Sequence, residues 1–353
     1  MQKLNETISK IERVDYSLKE KTQKRLDLLT KPQGSLGRLE ELAKQVVEIT
    51  RKEVPSMRNK VIFTMAGDHG VCEEGISAYP KEVTFQMVYN FLKAGAGINV
   101  LADHIGARVV VVDMGVAEKL KIKNEKLKIK KINYGTKNIA KGPAMTREEA
   151  IRSIEAGIEV FEEELSQGID IVGTGDMGIG NTTPSSAIAS VITGNRVEDV
   201  TGKGTGIDDK TLAHKIAVIK KAIKVNRPDA KDGIDVLSKL GGFEIGGIAG
   251  LILGGALKRI PVVIDGFISG AGALIAYKIE PKVKDYLIAS HCSEEKGHHI
   301  ILEYLGLKPI LNLDMRLGEG TGAALGISIV EAAIKILTQM ATFEDAGVSK
   351  RDK

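Results

Sequence analysis

The chain has 353 residues, 43% of them hydrophobic and 27% charged, a soluble globular mixture that excludes a disordered chain and leaves room for one large domain plus a smaller one. A net charge of +4, without basic residues interleaved with stacking aromatics, argues against nucleic acid. Aromatics make up only 4%, Trp is absent and Gly numbers 39, so an aliphatic core with many close backbone approaches is expected. The apolar stretch 245–257 is shorter than the roughly 20 residues a membrane span needs. The N-terminal sequence lacks the apolar region of a secretory signal, and Cys72 and Cys292 are too few for a disulfide framework. A cytoplasmic protein with no membrane span is expected.

In chain order, residues 3–52 read as helices. Leu36, Leu39, Leu42, Val46 and Ile49 recur at helical spacing, behind a break at Pro32 and Gly34 with Ser35 as candidate cap. Residues 1–55 are expected to form a helical subdomain packing with a C-terminal helix over 322–345, leaving 56–321 as an α/β domain. Within it, β-branched runs at 61–64, 109–112, 169–172, 262–264, 286–289 and 310–313 each stop at glycine or polar residues. Runs this short and apolar suit strands buried on both faces, and helical-period stretches separate them. The expected fold is α/β, doubly wound, with a largely parallel Rossmann-like sheet. Ligand then binds beyond the carboxyl ends of the strands. Residues 118–137 hold eight Lys and two Glu and read as a solvated edge hairpin guarded by lysines, with a basic docking patch as the alternative.

Three loops carry the candidate chemistry. The first, Gly173-Thr174-Gly175-Asp176-Met177-Gly178-Ile179-Gly180-Asn181-Thr182-Thr183-Pro184, follows a strand and opens a helix. Free amides at a positive helix end suit a phosphate. Gly173, Gly175 and Gly178 also satisfy G-x-G-x-x-G, the mark of a nicotinamide-dinucleotide oxidoreductase, but no second strand ends in an acid about 20 residues on. Asn181 stands where a Walker loop needs Lys. The second loop, 201–208, contains Gly204, Thr205 and Gly206, with Lys215 two turns into the next helix; spacing alone makes that residue a surface lysine. The third, 314–322, sets Glu319 between Gly318 and Gly320, either a base or a helix-start charge, and Arg316 as an anion clamp or a structural ion pair. Glu244, at the start of a glycine-rich apolar helix, stays undecided. Neither His291, Cys292, His298 and His299 nor Asp68, His69 and Cys72 match a metal spacing, so no metal is expected. No serine nucleophile elbow is present.

Taken together, these motifs resemble the nicotinate-nucleotide–dimethylbenzimidazole phosphoribosyltransferases. The resemblance runs nearly end to end, through 31–40 (Lys-Pro-Gln-Gly-Ser-Leu-Gly-Arg-Leu-Glu), 66–71 (Ala-Gly-Asp-His-Gly-Val), Tyr79-Pro80 to Gln86-Met87, 173–183, 204–208, 241–244, 265–267 and 316–322. It implies a homodimer that needs no cofactor and binds nicotinate mononucleotide and dimethylbenzimidazole. The phosphoribosyl group would lie on Gly175, Gly178, Ile179, Gly180, Asn181, Thr182, Gly204, Thr205, Gly206, Lys215, Arg316 and Gly318. The aromatic base would lie near Ser77, Tyr79, Gln86, Met177 and Leu317. Glu319 would be the catalytic base, with Asp176 supplying negative charge near the reacting carbon. Many members carry glutamate where this chain has Asp176, a carboxylate one methylene shorter, which opens the choice of base: adenine, another benzimidazole or a phenol could replace dimethylbenzimidazole. A nucleotide-binding regulator would keep the glycine loops but need no Glu319.

Overall fold

The computed structural model describes residues 1–349. Six strands form one all-parallel sheet: β1 (Lys60–Gly67), β2 (Ala107–Gly115), β3 (Leu127–Ile129), β4 (Ile171–Met177), β5 (Val262–Ile264) and β6 (Leu287–Ala289), in the order β3-β2-β1-β4-β5-β6. All eight residues of β1 are buried, as a central strand covered on both faces requires. The order reverses between β1 and β4. Loops leaving these two strands therefore diverge, and a crevice opens between them.

Two apolar cores flank the sheet. One lies under the helices Arg147–Glu164, Phe243–Leu257 and Phe267–Ile279. Glycine explains how they pack: a Cβ on Gly157 would meet the Gly247 carbonyl at 2.1 Å, and one on Gly250 would meet the Ile154 carbonyl at 1.9 Å. The helices Arg147–Glu164 and Phe243–Leu257 thus meet backbone to backbone, and the apolar stretch 245–257 is a buried core helix. The other core lies under Arg38–Thr50, Glu82–Leu92, Gly97–His104 and Thr321–Gln339. The chain ends divide between these layers. Leu4, Ile11 and Val14 join the first core, whereas Leu26, Leu29 and Leu42 join the second. There Arg25 donates to the Met340 carbonyl at 3.1 Å. The helix Thr321–Gln339 is long and apolar enough to cross a membrane, but it packs against β1, β4 and β5.

Three expectations need correction. Residues 310–313 form no strand; a single bridge joins Leu311 to His291, and Leu313 is 51% exposed. Ile310 and Leu311 donate to the Ala289 and Ser290 carbonyls at 3.1 and 3.0 Å, but the pairing goes no further, and the left-handed backbone of Asp314 (φ 54°) turns the chain away. The lysine-rich edge is not a hairpin, because β3 runs parallel to β2. Its lysines are partly consumed in ion pairs: Lys128 with Glu164, Lys130 with Glu159 and Glu163, and Lys131 with Asp113. Finally, β4 extends to Met177, so Gly173 and Gly175 belong to a strand rather than to a loop.

Candidate active site

A cavity of about 490 Å³ occupies the crevice at the carboxyl ends of the central strands. Around it the fold assembles Tyr79, Asp176, Met177, Gly178, Ile179, Asn181, Thr182, Gly204, Thr205, Arg316, Leu317, Gly318 and Glu319, residues spread over 240 positions of sequence.

The Glu319 side is fixed through the backbone. Gly318, Glu319 and Gly320 all have positive φ (81°, 65° and 101°), a strained run for the central non-glycine residue. Its surroundings enforce this conformation. The Thr64 hydroxyl donates to the Glu319 carbonyl at 2.9 Å, and the Glu319 amide donates to the Asp176 carbonyl at 3.2 Å. Asp265, just after β5, accepts from the Gly320 amide at 3.1 Å and the Ala323 amide at 3.0 Å, anchoring the start of Thr321–Gln339. The Glu319 carboxylate does not serve its own helix. Oε2 accepts from the Ile98 amide at 3.0 Å, in the first turn of Gly97–His104, while Glu319 itself lines the cavity at 5% exposure. Burial raises its pKa above the ordinary glutamate value, with the Ile98 amide opposing.

Close by, Asp176 accepts from Asn181 Nδ2 at 2.9 Å through Oδ2, and its buried Oδ1 has no partner among the described residues. Burial, reinforced by the neighbouring Asp265 carboxylate, pushes Asp176 well above the usual carboxylate range. Asp265 is itself raised to about 7 by burial, against the amides that hold it.

The opposite wall is held by side chains. Lys215 is 1% exposed, not a surface residue. Its Nζ donates to Thr182 Oγ1 at 2.7 Å and to the Gly202 carbonyl at 3.4 Å, tying the two glycine loops together from behind the cavity wall. Burial lowers its pKa to about 8, with Glu295 opposing. Arg316 donates to the Gly204 carbonyl at 3.1 Å, linking the third loop to the second. Thr205 Oγ1 accepts from the Ala78 amide at 3.1 Å, with Ser77 Oγ 3.4 Å away.

Several expected residues sit elsewhere. A Cβ on Gly175 would meet the Glu319 carbonyl at 2.3 Å, and one on Gly173 would meet Ala323 and Ile327; Gly175 admits the Glu319 loop to the sheet and Gly173 the helix Thr321–Gln339 that follows it. The G-x-G-x-x-G reading, and with it the dinucleotide oxidoreductase, therefore loses its structural basis. Gly180 (φ 86°) backs onto Cys72 Sγ, and Gly206 (φ 99°) turns in open space. The Ile179 amide is taken by Thr84 Oγ1 at 3.0 Å. Gln86 is exposed and does not line the cavity; Val83 and Met87 of the same helix do. Ser77 lines an adjoining cleft with His69 and Tyr79.

Sequence reasoning missed Phe267, His291, Ser293 and Glu295 in the lining, and the anchoring role of Asp265. Asp265 follows β5 directly and His291 lies two residues beyond β6, so the rule that ligands gather beyond strand ends would have found them. Glu244 is resolved as a buried partner of His69, with Oε1 to Nε2 at 2.7 Å. Burial alone would lower the His69 pKa, but the Glu244 carboxylate outweighs it and raises it. A Cβ on Gly178 would lie 3.2 Å from His69 Nε2, so this pair underlies the cavity floor. His298 Nδ1 accepts from the Ser293 amide at 2.9 Å, which makes it a local brace.

A doubly wound parallel sheet, with glycine loops that a buried lysine ties from behind and that face a carboxylate across its switch point, defines an enzyme that acts on a phosphorylated sugar or nucleotide. The chain matches the phosphoribosyltransferase family over residues 11–348, and it belongs to that family. It is 56% identical over 349 residues to nicotinate-nucleotide–dimethylbenzimidazole phosphoribosyltransferase of Geobacter sulfurreducens, covering 99% of each chain. To the enzyme of the same name from Desulforudis audaxviator it is 58% identical over 351 residues, again covering 99% of each. The crystal structure of the Thermus thermophilus enzyme of that name superposes with a TM-score of 0.90 at 42% identity, covering 96% of this chain and 100% of that one.

Proposed function

We propose that this cavity transfers the phosphoribosyl group of nicotinate mononucleotide to 5,6-dimethylbenzimidazole, giving α-ribazole 5′-phosphate and nicotinate. The observation that carries the reading is Glu319: a buried carboxylate, locked by backbone, facing two glycine loops joined by a buried lysine. In this reading the phosphate lies against Gly178, Thr182, Gly204 and Thr205, with Lys215 behind them, and the aromatic base lies among Tyr79, Val83, Met87, Met177 and Leu317. One ring nitrogen of the base attacks C1′ of the ribose. The bond from C1′ to the pyridinium nitrogen breaks, and its electron pair neutralises that nitrogen, so nicotinate departs without needing a proton. Glu319 accepts the proton from the other ring nitrogen. Attack from the face opposite the leaving group converts a β-riboside into an α-riboside. Positive charge develops at C1′, where the negative charge of ionised Glu319 stabilises it; the raised pKa of Asp176 works against the anionic role expected of that residue.

The chain-end helices 19–28, 38–50 and 321–339 form, in the same reading, the mount for the Glu319 loop. A cytoplasmic homodimer is the assembly we infer. Mass spectrometry of a reaction with nicotinate mononucleotide and an equimolar panel of dimethylbenzimidazole, benzimidazole, adenine and p-cresol tests the function. The expected product is the dimethylbenzimidazole α-ribotide with release of nicotinate. A different dominant ribotide would reassign the acceptor, and no ribotide from any acceptor would overturn the transferase reading.

A further inference from the structure

Glu295 places a buried carboxylate inside the region that should receive a phosphate. It is 6% exposed and lines the cavity. Oε1 accepts from the Gly204 amide at 2.8 Å, while the buried Oε2 has no partner among the described residues. The approach is built in: a Cβ on Gly202 would lie 2.2 Å from Oε2, so only glycine admits the carboxylate there. Glu295 precedes the helix Lys296–Leu305 at its N-cap position yet gives that helix no side-chain hydrogen bond. It reaches across to the second glycine loop instead. Lys215 converges on the same segment, since a Cβ on Gly204 would lie 3.3 Å from Nζ and 2.9 Å from Thr182 Oγ1. Lys215 has no carboxylate within 4.0 Å among the described residues, so the charge of this buried ammonium is not paired off and acts on whatever anion lies on the loops in front of it.

We infer that Glu295 is an internal anion that competes with the substrate's phosphate for the Gly204 amide and the field of Lys215, and so sets how tightly phosphoribosyl compounds are held. The inference rests on the phosphoribosyl-transfer reading and adds a specificity-determining residue to it. Substrate and product carry the same 5′-phosphate, so grip on that group strengthens both complexes alike and does not accelerate the chemical step. A fixed negative charge beside the phosphate weakens both alike, which favours release of the ribotide. In a buried site such like-charge repulsion is larger than in water.

The test is Glu295→Gln, which keeps the size of the side chain and an oxygen for the Gly204 amide while removing the charge. Calorimetric titration with nicotinate mononucleotide, the α-ribotide, inorganic phosphate and nicotinate riboside reads the effect. The expected result is about tenfold tighter binding of the three phosphate-bearing ligands, with riboside affinity unchanged; tenfold corresponds to about 1.4 kcal/mol. Gly202→Ala puts a methyl group where Oε2 lies and is expected to evict the carboxylate and tighten phosphate binding in the same way; it decides the matter if Glu295→Gln does not fold. Unchanged or weaker phosphate binding in a folded variant would make Glu295 a brace for the loop and overturn the inference, as would equal tightening of the riboside. If the wild type makes no ribotide, the transferase reading fails by itself, and the inorganic phosphate titration still judges Glu295.

Discussion

The two walls of the cavity are held by different means. On the Glu319 side, the catalytic candidate is fixed through main chain: three successive positive φ values, the Thr64 and Asp265 hydrogen bonds, and Gly175 allowing strand and loop to touch. On the phosphate side, Lys215, Thr182, Arg316 and Glu295 hold two glycine loops through side chains. Backbone fixation leaves little rotamer freedom, as suits a base that must meet one proton. Side-chain fixation can exchange partners, as suits a group that arrives, is transferred and leaves. The contrast predicts that damage to the first wall lowers kcat, whereas changes to the second alter affinity, downward where a cation is lost and upward where Glu295 loses its charge.

The largest effect is expected from Glu319→Gln. Loss of the general base should lower kcat by about 10³, within the usual range for such groups. KM for nicotinate mononucleotide should stay within about threefold, since the lost interaction belongs to the transition state. The wild-type pH profile sharpens the point. Glu319 works only when ionised, and burial raises its pKa, so kcat/KM should rise with pH through a limb lying above the ordinary glutamate value of about 4.3. That limb should be missing from the residual activity of Glu319→Gln. Retention of both the rate and the limb would remove Glu319 as the base.

Asp265→Asn tests whether the backbone lock matters from a distance. Asp265 lines no part of the cavity, yet it caps the helix behind Glu319. Its amide replacement cannot accept through both side-chain atoms, so one of the two helix amides loses its partner. Stability should fall by about 1–3 kcal/mol. Activity should fall by about 30-fold, in kcat rather than KM, and steady-state kinetics beside thermal melting separates the two. On the other wall, Lys215→Met should weaken nicotinate mononucleotide binding by about tenfold, the scale of one charge-assisted hydrogen bond. Binding of nicotinate riboside should be unaffected. A kcat-only defect in Lys215→Met would break the contrast between the walls.

The sequence made some of this legible and hid the rest for physical reasons. Apolar runs reveal buried strands because the signal is local, and five of the six expected strands are present. The run 310–313 has the same composition, but its main-chain pairing with the residues at and after the end of β6 stops at Leu311, and the left-handed Asp314 turns the chain away. Asp176, at the carboxyl end of β4, is readable because the sheet gathers strand ends at one edge, and Glu319 because it stands between two glycines at a helix start. Lys215 is expected in the site only through the family resemblance: helical spacing says nothing about a burial created by loops 13 and 33 residues earlier. Glu295 is still less accessible, since its meaning depends on a glycine amide 91 positions away. The glycines of 173–180 misled in an instructive way. Their number suggested a phosphate cradle, yet Gly173 serves helix packing, Gly175 the close approach of the Glu319 loop and Gly180 a turn.

That division among glycines gives the smallest prediction. Gly175→Ala and Gly206→Ala each add one methyl group, and from sequence both positions are expected to hold the phosphoribosyl group. At Gly175 the methyl would meet the Glu319 carbonyl at 2.3 Å, so the strand and the Glu319 loop must part. The expected outcome is loss of about 1–3 kcal/mol of stability from overpacking, together with a fall in kcat, because the displaced group is the backbone that aims the base. At Gly206 nothing lies within 4 Å, and the only penalty is the left-handed conformation at φ 99°. That penalty should cost about 1 kcal/mol by denaturant melting and leave kcat and KM within about twofold. Equal kinetic damage from the two variants would mean that Glu319 is not held through Gly175, and the two walls would no longer differ in kind.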